Sequence, residues 1–157
     1  MTAHSRNPSF TEAVDYLLEH KFNTLNIVSN ITSPIIFVHS NDDFDIPVAH
    51  SQTLYEALLE SHLPPTPYNE HDLRSQKVVP FSEMMDAIKR VNGQRAHTRE
   101  QVETVIDLGN VGELMSFTRL RSQGGQSATF FKTNFGGHNS IIYQETVMDI
   151  VRDTLHL

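Results

Sequence analysis

The sequence predicts an α/β domain whose sheet contains two parallel strands. Residues Ile35 to Val38 are four consecutive apolar residues without polar alternation, which is typical of a strand covered by helices on both faces. A second strand pattern, Phe130 to Phe135, leads through a glycine turn into a helical pattern. Both strands are therefore followed by a polar loop and a helix. The whole chain, residues 1–157, has the length of one domain.

Three aspartates follow the first strand directly. Pro34 fits the first position of a strand, where a missing N–H is tolerated. Asp42, Asp43 and Asp45 then come where functional groups collect in open α/β sheets, outside the carboxyl ends of the strands. The plainer interpretation is a solvated turn that caps the next helix.

A histidine stands in the equivalent place after the second strand. His138 follows Gly136-Gly137, 95 residues after Asp43. An acid followed by a histidine is the chain order of the last two members of a Ser, Asp/Glu, His triad. Because parallel strands end at the same edge of a sheet, we expect Asp43 and His138 to be hydrogen-bonded neighbours. Asp42 and Asp45 should lie farther from the ring.

These two segments resemble a known family. Residues 35–51, IIFVHSNDDFDIPVAHS, resemble the acid loop of serine α/β-hydrolases, and within them fungal members of the monoacylglycerol and lysophospholipid lipase-like branch. In that branch an apolar strand precedes His-small-x-x-Asp-x-x-Ile/Val-Pro, and Asp43 matches the catalytic acid. The segment Gly136 to Ser140, GGHNS, resembles the histidine loop, so that His138 matches the base. The likeness runs from about residue 12 to residue 157.

The resemblance implies the C-terminal portion of an α/β-hydrolase fold, with the last two parallel strands, flanking helices and a long helical insertion. The family's upstream half, which holds the nucleophile elbow and the oxyanion loop, has no counterpart in this sequence. The sole G-x-S stretch, Gly125 to Thr129, lacks the second glycine and follows the acid in the chain. Ser127 is therefore a poor nucleophile candidate, and the chain alone is expected to be inactive.

Three segments make up the predicted domain. Residues 10–59 hold a helix with a capping box at Ser9 to Glu12, the acid strand, and a helix over Val48 to Glu60. Residues 60–126 are predicted to be a helical insertion that covers the carboxyl edge of the strands as a lid. Residues 127–157 hold the histidine strand and a C-terminal helix.

The insertion and the C-terminus have helical patterns of their own. The first helix is predicted behind Pro80 and ends at Asn92-Gly93. A second one follows a capping box at Thr98 and runs to Leu108, and residues 109–125 are expected to be irregular. The final helix is predicted from Ser140 to His156.

Composition excludes several classes of function. The net charge of −7 argues against a nucleic-acid partner, and the absence of cysteine excludes disulfides and thiolate chemistry. No apolar stretch has the length of a signal sequence or a membrane span, which predicts a cytoplasmic protein. The histidines lack H-E-x-x-H spacing and the aspartate loop lacks the glycine and glutamate of a calcium loop, so we expect neither metal nor cofactor.

Three functions remain open. The first hypothesis is the acid and base part of a serine ester or lipid hydrolase, with an acyl ester or lipid as substrate. The second reading is a non-catalytic binding or interaction module derived from that fold. The third is a small enzyme that activates water through Asp43 and His138, although no oxyanion stabiliser is evident. In the family the acid strand has a neighbour on each side, so we also expect self-association through an exposed strand edge.

Overall fold

The computed structural model describes residues 24–67, 80–118 and 127–155. Its helices are α1 (Thr24–Ile27), α2 (Ala49–Glu60), α3 (Phe81–Val102), α4 (Gly137–Ser140) and α5 (Glu145–Leu155), with 3-10 turns at Val28–Asn30 and Ile141–Tyr143. Its strands are β1 (Ile35–Ser40), β2 (Glu103–Asp107), β3 (Gly112–Thr118) and β4 (Ser127–Thr133). The helix predicted after Ser9 lies outside the described residues.

The four strands form one mixed sheet in the order β1-β4-β3-β2. β1 and β4 are parallel, with Ile35 opposite Ala128 and Ser40 opposite Thr133, which confirms the predicted α/β class and its parallel pair. β3 runs antiparallel to β4, and β2 runs antiparallel to β3. β1 and β2 are thus the edge strands of the sheet that the described residues form.

Helices cover both faces of this sheet. Neighbouring residues of a strand point to opposite faces, and Phe130 and Phe131 accordingly enter two different cores. On one face Phe130 packs with Tyr55 and Leu58 of α2. On the other face Phe131 packs with Val147 of α5. The same arrangement explains why residues 35–38 of β1 are continuously apolar, since Ile35 and Phe37 pack in the first core and Val38 in the second.

The prediction of a helix from Thr98 to Leu108 is wrong, because residues 103–107 form β2. The stretch from 109 to 125 is expected to be irregular, but its described part, residues 109–118, contains the strand β3. Thr104, Val105 and Ile106 are β-branched and fit a strand better than a helix. The turn between β2 and β3 is closed by Asp107, whose Oδ1 accepts a hydrogen bond from the Gly109 N–H at 2.8 Å.

Helix α3 does not end at Asn92-Gly93 as predicted but continues to Val102. A glycine inside a helix costs about 1 kcal/mol relative to alanine, and anchoring contacts beyond Gly93 offset this cost. Arg99 binds both oxygens of Glu56 at 2.9 and 3.0 Å and Glu103 Oε2 at 2.6 Å. The hydrogen bonds to Glu56, and to a lesser degree those to Glu103, raise the pKa of Arg99.

These contacts also correct the predicted lid. Glu103 lies in the same row of the sheet as Ile35, Ala128 and Phe117, at the amino edge of β1 and β4. The end of α3 enters the sheet at this row and binds the second half of α2 through Glu56 and Glu60. The C-terminal part of α3 therefore packs at the edge opposite to Asp43 and forms no lid over it. The turn between β2 and β3 does reach the carboxyl edge, where the Asn134 side chain donates to the carbonyls of Gly109 and Asn110 at 3.2 Å. Residues 68–79 and 119–126 lie outside the described residues.

The C-terminal helix predicted from Ser140 to His156 is divided into shorter pieces. Helix α4 starts at Gly137, a 3-10 turn follows, and Gln144 is extended before α5 begins at Glu145. The break lets the Gln144 side-chain amide donate to the carbonyl of Phe135, beside the glycine turn. Among the described helices, none has the length and apolar composition that crossing a bilayer requires.

Candidate active site

The carboxyl ends of β1 and β4 bring two loops together. Ser40 and Thr133 are paired in the last row of the strands, so the residues that follow start side by side. The Asn41 N–H donates to the Thr133 carbonyl at 2.8 Å, and the Asn41 side chain donates to that of Asn134 at 3.2 Å. The acid loop and the histidine loop are therefore fixed to each other at their first residues.

Asp43 and His138 are hydrogen-bonded, which confirms the expected pairing across the sheet edge. His138 Nδ1 lies 3.0 Å from Asp43 Oδ2. Asp43 Oδ1 accepts hydrogen bonds from the backbone N–H groups of Ile46 at 2.8 Å and Asp45 at 3.0 Å. The hydrogen bond from the Ile46 N–H is the main cause that lowers the pKa of Asp43 to about 2, and His138 contributes to the same shift. Asp43 is thus ionised and held in one orientation, with its side chain 5% exposed.

The ring of His138 is partly exposed at the surface. Since Asp43 is ionised, His138 Nδ1 is the donor in their bond, and a neutral ring then has a basic Nε2. Among the described residues Nε2 has no hydrogen-bond partner, and the side chain is 41% exposed. The ring lines an open cavity of about 170 Å³ together with Val38, Ser40, Asp43 and Ile141. The hydrogen bond and the charge of Asp43 raise the pKa of His138.

His39 supports Asp43 from the other side, a role that the sequence did not suggest. Its Nε2 lies 2.8 Å from the Ile46 carbonyl and 3.3 Å from Asp43 Oδ2, and its Nδ1 lies 2.7 Å from Ser51 Oγ. A carbonyl can only accept, so Nε2 carries the proton and Nδ1 accepts from the serine hydroxyl. His39 therefore closes the acid loop onto the start of α2. In the sequence, the one sign of this supporting role is the position of His39, four residues before Asp43.

The neighbouring aspartates differ from Asp43. Asp42 binds the backbone of the histidine loop, with its Oδ1 2.8 Å from the Gly137 nitrogen. Oxygens of Asp43 and Asp45 and a nitrogen of His138 lie within 4.8 Å of one another, the spacing of a metal site. However, Asp43 already uses one oxygen for two N–H groups and the other for His138. These bonds use both lone pairs of Oδ1 and one of Oδ2, so a cation would compete with His138 for Asp43.

Ser127 lies at the far end of the histidine strand. It is the first residue of β4 and pairs with Thr118, whereas His138 follows the strand's carboxyl end. Seven residues at about 3.3 Å each separate the two ends of β4 by roughly 20 Å. Ser127 therefore cannot transfer a proton to His138.

The His138 pKa gives a direct test of this pair. We expect the ring in the purified chain to titrate above the ordinary value of 6.5, and Asp43→Asn to lower its pKa. Asp45→Asn should cause a smaller decrease, since Asp45 acts only through its charge. NMR titration of the histidine ring resonances measures all three. Equal pKa values in the parent and Asp43→Asn would contradict the pairing.

The same shifts fix the pH dependence of stability. The raised His138 pKa stabilises the fold below pH 6.5, and this contribution is lost as pH rises through the folded-state pKa. The lowered Asp43 pKa stabilises above pH 3.8 and is lost as pH falls toward about 2. The difference in unfolding free energy between the parent and Asp43→Asn should therefore be largest between pH 3.8 and pH 6.5 and smaller at alkaline pH.

The arrangement as a whole is an ionised acid that orients a histidine, whose ring lines a small cavity. Such a pair can accept a proton from a hydroxyl or a water molecule and return it to a leaving group. No protein-family model, no curated protein and no solved structure matches this chain.

Proposed function

We propose that this chain is the acid and base part of a serine-type ester or lipid hydrolase. The observation that carries the proposal is the hydrogen bond between Asp43 and His138 Nδ1, which leaves Nε2 without a partner among the described residues, on a ring that lines an open cavity. In acyl transfer, the base takes the proton of a serine hydroxyl and later gives it to the leaving group. The acid keeps the ring in the required tautomer and stabilises the imidazolium. The attacking serine comes from residues outside this sequence.

The surroundings of the pair suit an apolar substrate. Exposed apolar side chains stand on both loops and on the turn after His138, namely Phe44, Ile46, Phe135, Ile142 and Tyr143. Once a second set of residues closes the cavity, these side chains would contact an acyl chain and exclude water from the reacting ester. A lipid or long-chain acyl ester is therefore the favoured substrate class.

The fold is consistent with the proposed family. Two parallel strands with helices on both faces correspond to the acid and histidine strands of an α/β-hydrolase. In that family an earlier strand lies beside the acid strand, and the outer edge of β1 has no strand partner among the described residues. The antiparallel strands β2 and β3 extend the sheet beyond the histidine strand and are a feature of this chain.

The test is covalent labelling with a serine-directed fluorophosphonate. The isolated chain should give no adduct and no burst of ester hydrolysis, because it has no activated serine. The protein encoded by the complete transcript should be labelled at a serine within G-x-S-x-G. This labelling should be lost in His138→Ala and Asp43→Asn and kept in Asp45→Asn, the matched control.

Other outcomes separate the alternatives. Stoichiometric labelling of the isolated chain at Ser127 would overturn the proposal. Weak ester turnover by the isolated chain, lost equally in Asp43→Asn and His138→Ala, would favour activation of water by the pair. A complete transcript that encodes no further serine motif, with an inactive product, would favour a non-catalytic module.

One observation favours that binding or interaction module as the second candidate. The outer edge of β1 and the exposed Phe44, whose side chain is 96% exposed, offer backbone and apolar groups that a protein partner could cover. Such a module would bind its partner equally well after His138→Ala. A hydrolase would lose its activity with the same substitution.

A further inference from the structure

Asp42 is the second carboxylate at the sheet edge, and it contacts the histidine loop without touching the histidine. Its Oδ1 accepts hydrogen bonds from the Gly137 N–H at 2.8 Å and from the Ser40 hydroxyl. Its Oδ2 accepts a longer one from the Gly136 N–H at 3.4 Å. Three donors from two strand-loop units thus converge on one side chain. The hydrogen bond from the Ser40 hydroxyl lowers the pKa of Asp42 most, and the bond from the Gly137 N–H lowers it further.

The backbone that Asp42 binds has an unusual conformation. Gly136 has a φ of 135° and Gly137 a φ of 54°, both in the region that favours glycine. A side chain at Gly136 would also meet Ile141 Cα at 3.2 Å. Two successive glycines leave this turn with wide conformational freedom in the unfolded chain, so its folded form needs contacts that hold it. The N–H groups bound to Asp42 are those of the two residues immediately before His138.

We propose that Asp42 is a positioning residue, which fixes the Gly136-Gly137 turn so that His138 Nδ1 meets Asp43. The catalytic use of this positioning rests on the proposed hydrolase function. The two adjacent aspartates have different partners: Asp43 binds the His138 ring, and Asp42 binds the backbone just before His138. The Ser40 hydroxyl, buried at the end of β1, in turn orients Asp42.

A carboxylate suits this place better than an amide. All three groups that face Asp42 are donors, and an ionised carboxylate only accepts. In Asp42→Asn the amide NH₂ would face at least one of these donors. The turn would then lose a hydrogen bond, and His138 would sample orientations in which Nδ1 no longer meets Asp43.

The experiment compares His138 titrations in the purified full chain with isotope-labelled histidine. We expect Asp42→Asn to remove most of the rise in the His138 pKa and to weaken the Nδ1–H resonance, although Asp43 is intact. Asp107→Asn is the matched control, because Asp107 Oδ1 also accepts a glycine N–H in a turn, between β2 and β3. This control should leave the His138 titration unchanged, even where it lowers the melting temperature.

A purely structural role would give a different result. If Asp42→Asn lowers the melting temperature but His138 titrates as in the parent, the positioning role is overturned. Should Asp42→Asn not fold, Asp42→Ser replaces it, since its shorter side chain cannot reach Gly137, and the same two outcomes decide. Failure of serine labelling in the complete protein would remove the hydrolase function but leave a shifted His138 pKa, so the two proposals fail separately.

Discussion

Replacing Phe130 by alanine is expected to lower the free energy of unfolding by about 3 to 5 kcal/mol. Phe130 is 0% exposed in the centre of β4. Its ring lies 5.8 Å from that of Tyr55 and 6.3 Å from that of Phe37, centroid to centroid. Truncation leaves a cavity between the sheet and α2 and removes both ring contacts, and each loss adds to the lost transfer free energy. Urea denaturation followed by circular dichroism measures the change.

Phe44→Ala is the matched control for this prediction. It removes the same atoms from a side chain that is 96% exposed in the acid loop. We expect a change within about 0.5 kcal/mol, as for other surface substitutions. Both variants must be compared at the same protein concentration, because association shifts apparent stability. Similar losses in the two variants would contradict the packing described for the core.

The parallel pair and its two loops could be predicted because their signals are local. Each strand is a short apolar run, and the chemistry follows directly at its carboxyl end, at Asp43 and at His138. A general rule of parallel sheets then brings both loops to one edge. No knowledge of the intervening residues was needed to expect the hydrogen bond between them.

The hairpin of β2 and β3 could not be predicted in the same way. The stretch from Thr98 to Leu108 has both a capping pattern and helical spacing of apolar residues, and its first five residues are indeed helical. The chain changes to a strand at Glu103, where Arg99, Tyr55 and the row of Phe117 hold it. Tyr55 and Phe117 are distant from Glu103 in the sequence, and such tertiary contacts override a local preference of this size.

The supporting residues of the site were also beyond local reasoning. His39 and Asp42 stand in the acid loop pattern, but their roles depend on how closely Ile46, Ser51 and Gly137 approach them. The rule that parallel strands end at one edge predicts which loops meet. It does not predict which side chain in those loops binds a backbone group. The three aspartates illustrate this, since one binds the ring and another binds the glycine turn.

The outer edge of β1 leads to the prediction about association. Among the described residues β1 pairs on one side only, with β4. Its residues Ile35–Val38 include no Lys, Glu or Pro, the residues that commonly prevent edge strands from pairing. Pro34 stands just before the strand. A second copy of the chain could pair with this edge, in a C2 arrangement where the two β1 strands run antiparallel.

We expect the purified chain to self-associate through β1 and Ile36→Lys to weaken this association by about tenfold or more in Kd, which corresponds to about 1.4 kcal/mol. Ile36 lies on the edge strand and, of the described residues, is not among those packed in the two cores, so the lysine should leave the fold intact. Ile106→Lys is the matched control on β2, the opposite edge. Sedimentation velocity over a concentration series distinguishes the variants. A monodisperse parent monomer with a cooperative thermal transition would instead mean that the chain closes its own core without pairing at β1.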